Sequence, residues 1–307
     1  MAPGWRETRG VEPGIVEASA TDPGEPPAQR LTVPPDEAHE AAELAAIEAA
    51  YAAIRDIAIR MRPRRDGSEI ARINFVTPGT PVEVQPDTWR MLQLARRLDD
   101  LTDGIFDPCL PTRSGYLGDI EIQHNTPVLI CHAPVALELG GIAKGHAIDR
   151  AVEKLQEFGC TSGLVNAGGD LRVFGDRAET IFLRQQGSAP GLEEPDSRDR
   201  PDEIGRLTDN NFRSADGNPT FRPLTLQNSA LAVSDLDAGN RPSEHQGYYT
   251  RGRDRDATLR RYAATIAGTA TVADALTKCV LLYSDDMAMR VLYELEAGSA
   301  LSDEARR

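Results

Sequence analysis

Apolar residues recur at three- and four-residue steps along several stretches of the chain, the spacing that gives an α-helix one buried face. The first stretch predicts a helix from about Asp36 to Met61, in which Leu44, Ile47 and Tyr51 share a face. The same spacing predicts further helices over about 87–101, 142–158, 272–283 and 286–296. Gly159 follows the third of these as its expected C′ residue.

Short apolar runs bounded by Gly, Pro and polar turn residues predict β-strands between the helices. They cover about 81–84, 128–131, 135–139, 164–166, 171–174, 180–184, 224–226, 230–233 and 261–267. A short turn is expected from Gly67 to about Asn74. Because helices and strands mix without strict alternation, the pattern indicates the α+β class.

Two segments lack this periodicity. Residues 1–33 are rich in proline and charge, which predicts a disordered leader. Residues 187–219 combine acids, arginines and prolines, which predicts a surface insertion. The predicted organisation is therefore one domain over 34–300, with a leader before it and an insertion within it.

Charge and composition exclude several classes of protein. The chain of 307 residues carries 34 Lys and Arg against 48 Asp and Glu, a net charge of −14. That balance argues against nucleic-acid partners, which need clustered cations. No apolar run approaches the length of a transmembrane helix, and the first residues lack the apolar core of a signal peptide. We therefore expect no membrane insertion and a cytoplasmic location. The four cysteines form no CxxC pair, so a zinc knuckle is not expected.

The stretch LELGGIAKGH carries the most chemical information. A predicted strand ends at Glu138, Gly140 and Gly141 follow, and a helix carrying Lys144 begins at once. Free amides at a helix N-terminus together with a lysine suit a phosphate or pyrophosphate. The stretch matches neither a Walker A loop nor GxGxxG. Taken alone, it is also compatible with a simple tight turn.

Two further stretches carry polar groups beside glycine or at a helix start. VNAGGD ends in Asp170, which a β-turn would satisfy locally. In ADALTK, Asp274 and Thr277 are three residues apart and share one helix face, which suits the oxygen ligands of Mg²⁺. The alternative for Asp274 is a carboxylate that only complements the helix dipole.

These three stretches, ELGGIAKGHAID, NAGGD and ADALTK, resemble in this order the motifs of the FAD:protein FMN transferase (ApbE) family. SEIARIN at 68–74 and LTDGIFDP at 101–108 are weaker matches to the same family. The resemblance extends from about Ala41 to the C-terminus.

The resemblance implies a single ApbE-like (T-fold-like) α+β domain with mixed sheets flanked by helices. It implies Mg²⁺-dependent transfer of FMN from FAD to a threonine of an acceptor flavoprotein, with release of AMP. By position, the implied FAD contacts are Ile105, Phe106, Asp107, Glu138, Gly140, Gly141 and Lys144. The implied metal ligands are the Gly141 carbonyl, Asp274 and Thr277, and the implied catalytic residues are His245 and Asp274.

Three departures from the family pattern leave other functions open. No strand carrying the family's M-G-T is predicted before the first helix. The histidine loop keeps His245 and Gly252 but has Tyr248 and Tyr249 where the family has Asp and Pro. Lys278 stands at the last ligand position, where protonated lysine cannot bind Mg²⁺, and we expect it on the phosphate side. The alternatives are a non-catalytic FAD- or nucleotide-binding protein of the same fold and an FAD pyrophosphatase.

Overall fold

The computed structural model describes residues 6–8, 15–19, 29–32, 40–104, 106–185, 220–235, 260–282 and 285–304. Its helices are α1 (Glu40–Arg60), α2 (Glu69–Phe75), α3 (Pro86–Leu101), α4 (Gly140–Glu157), α5 (Ala270–Leu282) and α6 (Asp285–Glu294). The predicted helices are therefore confirmed within a few residues, while the expected start of the first at Asp36 lies outside the described residues. The mixture of helices and sheets confirms the α+β class.

Two sheets accompany these helices. The larger runs in the order β1 (Arg6–Thr8), β2 (Ile15–Ser19), β3 (Gln29–Thr32), β7 (Gly163–Ala167), β8 (Asp170–Gln185), β9 (Thr220–Asp235), β10 (Arg260–Ala267) and β11 (Gly298–Glu304). The smaller has the order β4 (Pro81–Glu83), β6 (Val128–Cys131) and β5 (Ile120–Ile122). The registered strand pairs are antiparallel. The tight turn at Gly168 and Gly169 joins β7 to β8 in this antiparallel arrangement.

The first 33 residues contain strands where the sequence predicts none. β3 pairs with β7 in antiparallel register, with Leu31 opposite Val165, and β2 and β1 extend the sheet from there. The structure differs from the predicted disordered leader at these strands, and β3 leaves no local pattern because its partner β7 lies far away in the sequence. The rest of the segment lies outside the described residues.

Three local predictions also differ from the structure. The turn expected from Gly67 is helix α2, and the Ser68 hydroxyl caps it by accepting from the Ala71 amide at 3.1 Å. The run 135–139 is apolar because it is buried, but it forms only an isolated bridge between Leu137 and Cys109. The expected strands 171–174 and 180–184 are one strand, β8, and 224–226 and 230–233 are one strand, β9.

Helix α4 lies at the centre of the first compact unit, which comprises residues 1–177 and 227–307. It contacts α1, α3, α5 and β7 and buries Ile142, Ile148 and Val152 among other apolar side chains. Its C-terminus is a Schellman motif. Gly159 has a φ of 89°, its amide donates to the Gln156 carbonyl at 2.9 Å, and the Cys160 amide donates to the Leu155 carbonyl at 3.0 Å. This confirms Gly159 as the C′ residue.

Residues 178–226 form a second compact unit. The insertion predicted at 187–219 lies outside the described residues, so the domain boundaries stay a prediction. No helix in the described part of the chain is long and apolar enough to cross a bilayer.

An ionic cluster around Asp87 ties α1, α3 and α4 together. The carboxylate of Asp87 contacts His146 Nε2 at 3.0 Å, and its other oxygen accepts from Arg60 at 3.1 Å. Arg150 adds a contact at 3.5 Å. The hydrogen bond with His146, helped by Arg60 and Arg150, outweighs burial and holds the pKa of Asp87 well below its usual range.

We predict that Asp87→Asn lowers the free energy of unfolding by about 1–3 kcal/mol at neutral pH, because two cationic partners lose their charged acceptor. A depressed pKa stabilises the fold above the unfolded-state value of 3.8 and loses that effect as the pH falls through the folded-state value. Urea unfolding of the parent and of Asp87→Asn should therefore show a difference in the free energy of unfolding that becomes smaller as the pH falls below 3.8.

Asp56→Asn is the matched control, because Asp56 pairs with the same Arg60 but its side chain is 61% exposed. It should change the unfolding free energy by less than about 0.5 kcal/mol. Equal effects of the two substitutions at neutral pH would contradict the role assigned to Asp87.

Candidate active site

The predicted Gly-Gly turn forms the first turn of α4. The helix begins at Gly140, two residues before the predicted start, and the Gly140 amide donates to the Glu138 carboxylate at 2.8 Å. A Cβ at Gly140 would lie 2.7 Å from Glu138 Oε1, so glycine allows this close approach. Glu138 is buried and in this arrangement serves the helix N-terminus.

The expected FAD segment around Phe106 lies beside Glu138. The Glu138 amide donates to the Pro108 carbonyl at 2.9 Å, and Phe106 is fully buried. The Asp107 carboxylate accepts from the amides of Cys109 at 2.8 Å and Leu117 at 3.1 Å, which shapes its own loop. Ile105 lies outside the described residues.

A residue of the SEIARIN motif stabilises the backbone just before Glu138. Asn74 donates to the Leu137 carbonyl at 2.9 Å and accepts from the Leu137 amide at 2.7 Å. One buried side chain therefore fixes both backbone groups of the residue that precedes Glu138. The motif was a sequence signal for this role, although the sequence analysis assigned none to Asn74.

Helix α5 packs closely on α4 and brings Asp274 to the Gly-Gly turn. Asp149 of α4 accepts from the amides of Ala270 at 2.9 Å and Thr271 at 2.8 Å, which caps the start of α5. The Gly145 amide then donates to Asp274 Oδ2 at 3.1 Å. Asp274 therefore contacts α4 about one turn after the Gly-Gly pair, and its approach to the Gly141 carbonyl stays a prediction.

Lys278 and Thr277 occupy the other polar groups of Asp274. Lys278 donates to Asp274 Oδ1 and, at 3.0 Å, to the Asp274 carbonyl. The Thr277 hydroxyl donates to the same carbonyl at 2.7 Å and lies 2.7 Å from the Ser234 hydroxyl. Lys278 reaches Asp274 because residues four apart in a helix are neighbours, and its expected place on the phosphate side stays a prediction.

Asp170 of the NAGGD motif forms a second buried carboxylate at the site. Lys144 Nζ lies 2.9 Å from Asp170 Oδ2, and the Val233 amide donates to Oδ1 at 2.9 Å. Burial and the nearby charge of Asp274 raise the pKa of Asp170 to about 6, against the opposing effect of Lys144 and Lys278. The two carboxylates and two lysines therefore form one cluster.

Exposure differs between the acids and the bases of this cluster. The side chains of Asp170 and Asp274 are 0% and 1% exposed, whereas those of Lys144 and Lys278 are 37% and 15% exposed. Buried carboxylates thus hold two more accessible ammonium groups at the N-terminal end of α4. Such an arrangement can bind the oxygens of an anionic phosphate group.

The predicted ligands fit a magnesium ion poorly in this geometry. Both oxygens of Asp274 are engaged, one by an ammonium group, and the Thr277 hydroxyl is hydrogen-bonded on both sides. No cluster of three or more His, Cys, Asp or Glu side chains suited to a metal occurs among the described residues. His245, the predicted base, lies outside them.

Asp170 and Ser234 were not among the predicted site residues. The sequence pattern alone is compatible with Asp170 as a turn residue, although its place in NAGGD was the signal that could have identified it. Ser234 gave no signal, because only the pairing of β9 and β10 and the packing of α5 bring it to Thr277.

The fold matches solved flavin transferase structures along nearly the whole chain. The apo Pseudomonas stutzeri flavinyl transferase ApbE aligns with a TM-score of 0.67 at 13% identity over 97% of both chains. A mutant of the Vibrio cholerae flavin transferase ApbE gives 0.69 at 17% identity over 93% of this chain and 92% of that one. The ApbE protein of Thermotoga maritima gives 0.65 at 20% identity over 95% and 96%. At these identities the likeness shows the fold.

The sequence itself matches the model of the ApbE family over residues 29–186, about half of the chain. The chain therefore belongs to the ApbE family. It is also similar to the FAD:protein FMN transferase of Haemophilus influenzae, with 27% identity over 158 residues that cover 42% of this chain and 46% of that protein. The match thus spans about half the length of that relative.

We predict that Gly145→Ala destabilises the protein by about 1–3 kcal/mol, because overpacking at a close helix contact must push the helices apart. The added Cβ would lie 2.1 Å from the Ala270 carbonyl oxygen, which is backbone and cannot rotate away. Gly268→Ala is the control, since its Cβ would meet nothing within 4 Å. Equal urea midpoints for the two variants would contradict the close approach of α4 and α5.

Proposed function

We propose that this chain transfers FMN from FAD to a threonine hydroxyl of an acceptor flavoprotein and releases AMP. In this reaction the threonine oxygen forms a bond to the phosphorus of the FMN half. The bond from that phosphorus to the bridging oxygen breaks, and AMP leaves with that oxygen. The threonine proton passes to a base, for which the sequence offers His245.

The observation that carries the proposal is the cluster of Lys144, Lys278, Asp170 and Asp274 at the start of α4. A pyrophosphate needs positive charge at short range, and catalysis of phosphoryl transfer is mostly positioning and charge stabilisation. Lys144 and Lys278 supply that charge at the start of α4. Membership of the ApbE family supports FAD as the nucleotide.

The resemblance also implies Mg²⁺ at Gly141, Asp274 and Thr277, which would neutralise charge on the phosphates. Because Lys278 already contacts the Asp274 carboxylate, no step of the proposed reaction uses a metal. In this proposal the two lysines bind the phosphate oxygens, while Asp170 and Asp274 hold the lysines in place.

Two alternatives share this site and differ in the fate of FAD. A pyrophosphatase would pass the FMN phosphorus to water, and a binding protein would leave FAD intact. The departures around His245 favour the binding protein, whereas the intact ELGGIAKG and ADAL stretches favour the transferase.

One assay separates the three functions. The purified chain is incubated with FAD, with and without an acceptor flavoprotein and its Thr→Ala variant. With the acceptor, we expect AMP to be detected by chromatography and flavin fluorescence to remain on the denatured acceptor protein. With the Thr→Ala acceptor, we expect neither signal. AMP with free FMN would identify the pyrophosphatase, and bound but intact FAD would identify the binding protein.

We predict that Lys144→Met weakens FAD binding by about tenfold or more, because it removes a charged donor from the phosphate site. Lys144→Arg should retain most of the affinity. Lys154→Met is the matched control, since Lys154 lies on the same helix and pairs at the surface with Glu157. Flavin fluorescence titration gives the affinities, and equal values for Lys144→Met and Lys154→Met would place the phosphate site elsewhere.

We further predict that His245→Asn abolishes FMN transfer while FAD affinity stays within about twofold of the parent value. The imidazole is proposed to accept the threonine proton, which matters in the reaction and not in binding. The measurements are acceptor fluorescence and FAD titration. Unchanged transfer by the variant would exclude His245 as the base.

A further inference from the structure

A lysine ammonium group lies at the carboxylate where the family resemblance implies a divalent cation. Lys278 Nζ donates to Asp274 Oδ1 and to the Asp274 carbonyl at 3.0 Å. The Lys278 side chain is 15% exposed and that of Asp274 is 1% exposed, so the lysine is the more accessible partner. A ligand that approaches Asp274 from solvent therefore meets a positive charge first.

The remaining oxygens around Asp274 are also engaged. The Gly145 amide donates to Oδ2 at 3.1 Å, and Thr277 donates to the Asp274 carbonyl at 2.7 Å. The Thr277 oxygen also lies 2.7 Å from the Ser234 hydroxyl. A magnesium ion would have to displace several of these bonds before it gained its oxygen ligands.

The charges of the cluster balance without a metal. Asp170 and Asp274 contribute two negative charges, and Lys144 and Lys278 contribute two positive charges. A magnesium ion would add two further positive charges beside the ammonium groups, where limited access of water leaves their repulsion poorly screened.

We infer that the Lys278 ammonium group takes the place of the divalent cation in this chain, so that the diphosphate of FAD binds here without Mg²⁺. The inference rests on the proposed function for the identity of the nucleotide, but not for the role of the cation. An ammonium group has three donors, and two of them point at Asp274. In this proposal the third donates to a phosphate oxygen.

The first test measures the binding of Mg²⁺ to the full chain by isothermal titration calorimetry in the absence of nucleotide. The parent and the surface control Lys154→Thr should show no saturable binding. Lys278→Thr, which replaces the ammonium group by a hydroxyl, should show saturable Mg²⁺ binding. Saturable binding by the parent with the same affinity as Lys278→Thr would overturn the inference.

The second test measures FAD affinity by flavin fluorescence in EDTA and in Mg²⁺. The parent should keep its affinity within about twofold in the two buffers, while Lys278→Thr should lose about tenfold in EDTA and recover it in Mg²⁺. Loss of FAD binding by the parent in EDTA would overturn the inference. If FAD binds in neither buffer, the proposed function fails, and the Mg²⁺ titration still decides the role of Lys278.

Folding of each variant is checked by circular dichroism, because Lys278→Thr removes the cation from a buried carboxylate. If that variant does not fold, the two titrations of the parent are sufficient. Mg²⁺-independent FAD binding by the parent supports the inference, and Mg²⁺-dependent binding overturns it.

Discussion

The close approach of α4 and α5 at Gly145 is the contact on which the candidate site depends. A side chain at this position would collide with the Ala270 backbone, and the Gly145 amide could not reach Asp274. Asp149 fixes the start of α5 against α4 through the Ala270 and Thr271 amides. The second lysine, Lys278, is brought to the site by the same helix contact, because it lies one turn after Asp274.

Burial of two carboxylates then determines the rest of the arrangement. A buried carboxylate is tolerated when it is paired and hydrogen-bonded. Asp170 meets this requirement with Lys144 and the Val233 amide, and Asp274 meets it with Lys278 and the Gly145 amide. The acids therefore fix two lysines in position, so less side-chain freedom is lost when a phosphate binds.

The sequence predicted the helices well because each buries one face, and a period of three to four residues is visible locally. The family resemblance predicted that Asp274 lies near the Gly-Gly turn, and in the structure Asp274 contacts Gly145 of the same helix. It did not reveal strand β3, in which Arg30 pairs with Asn166 of β7, or the contact between Ser234 and Thr277. In both cases the partner lies far away in the sequence. Contacts of this kind follow from topology, and one sequence carries no local trace of them.

The charge of the whole chain and the charge of the site have opposite consequences for an anionic nucleotide. A net charge of −14 repels FAD at long range, and salt at physiological strength screens that repulsion within about 8 Å. Recognition must therefore come from groups in direct contact with the phosphates. Lys144 and Lys278 are suited to this because their side chains are more exposed than those of their carboxylate partners. The acidic composition thus argues against a nucleic-acid partner, but not against a dinucleotide that fits one short-range cationic site.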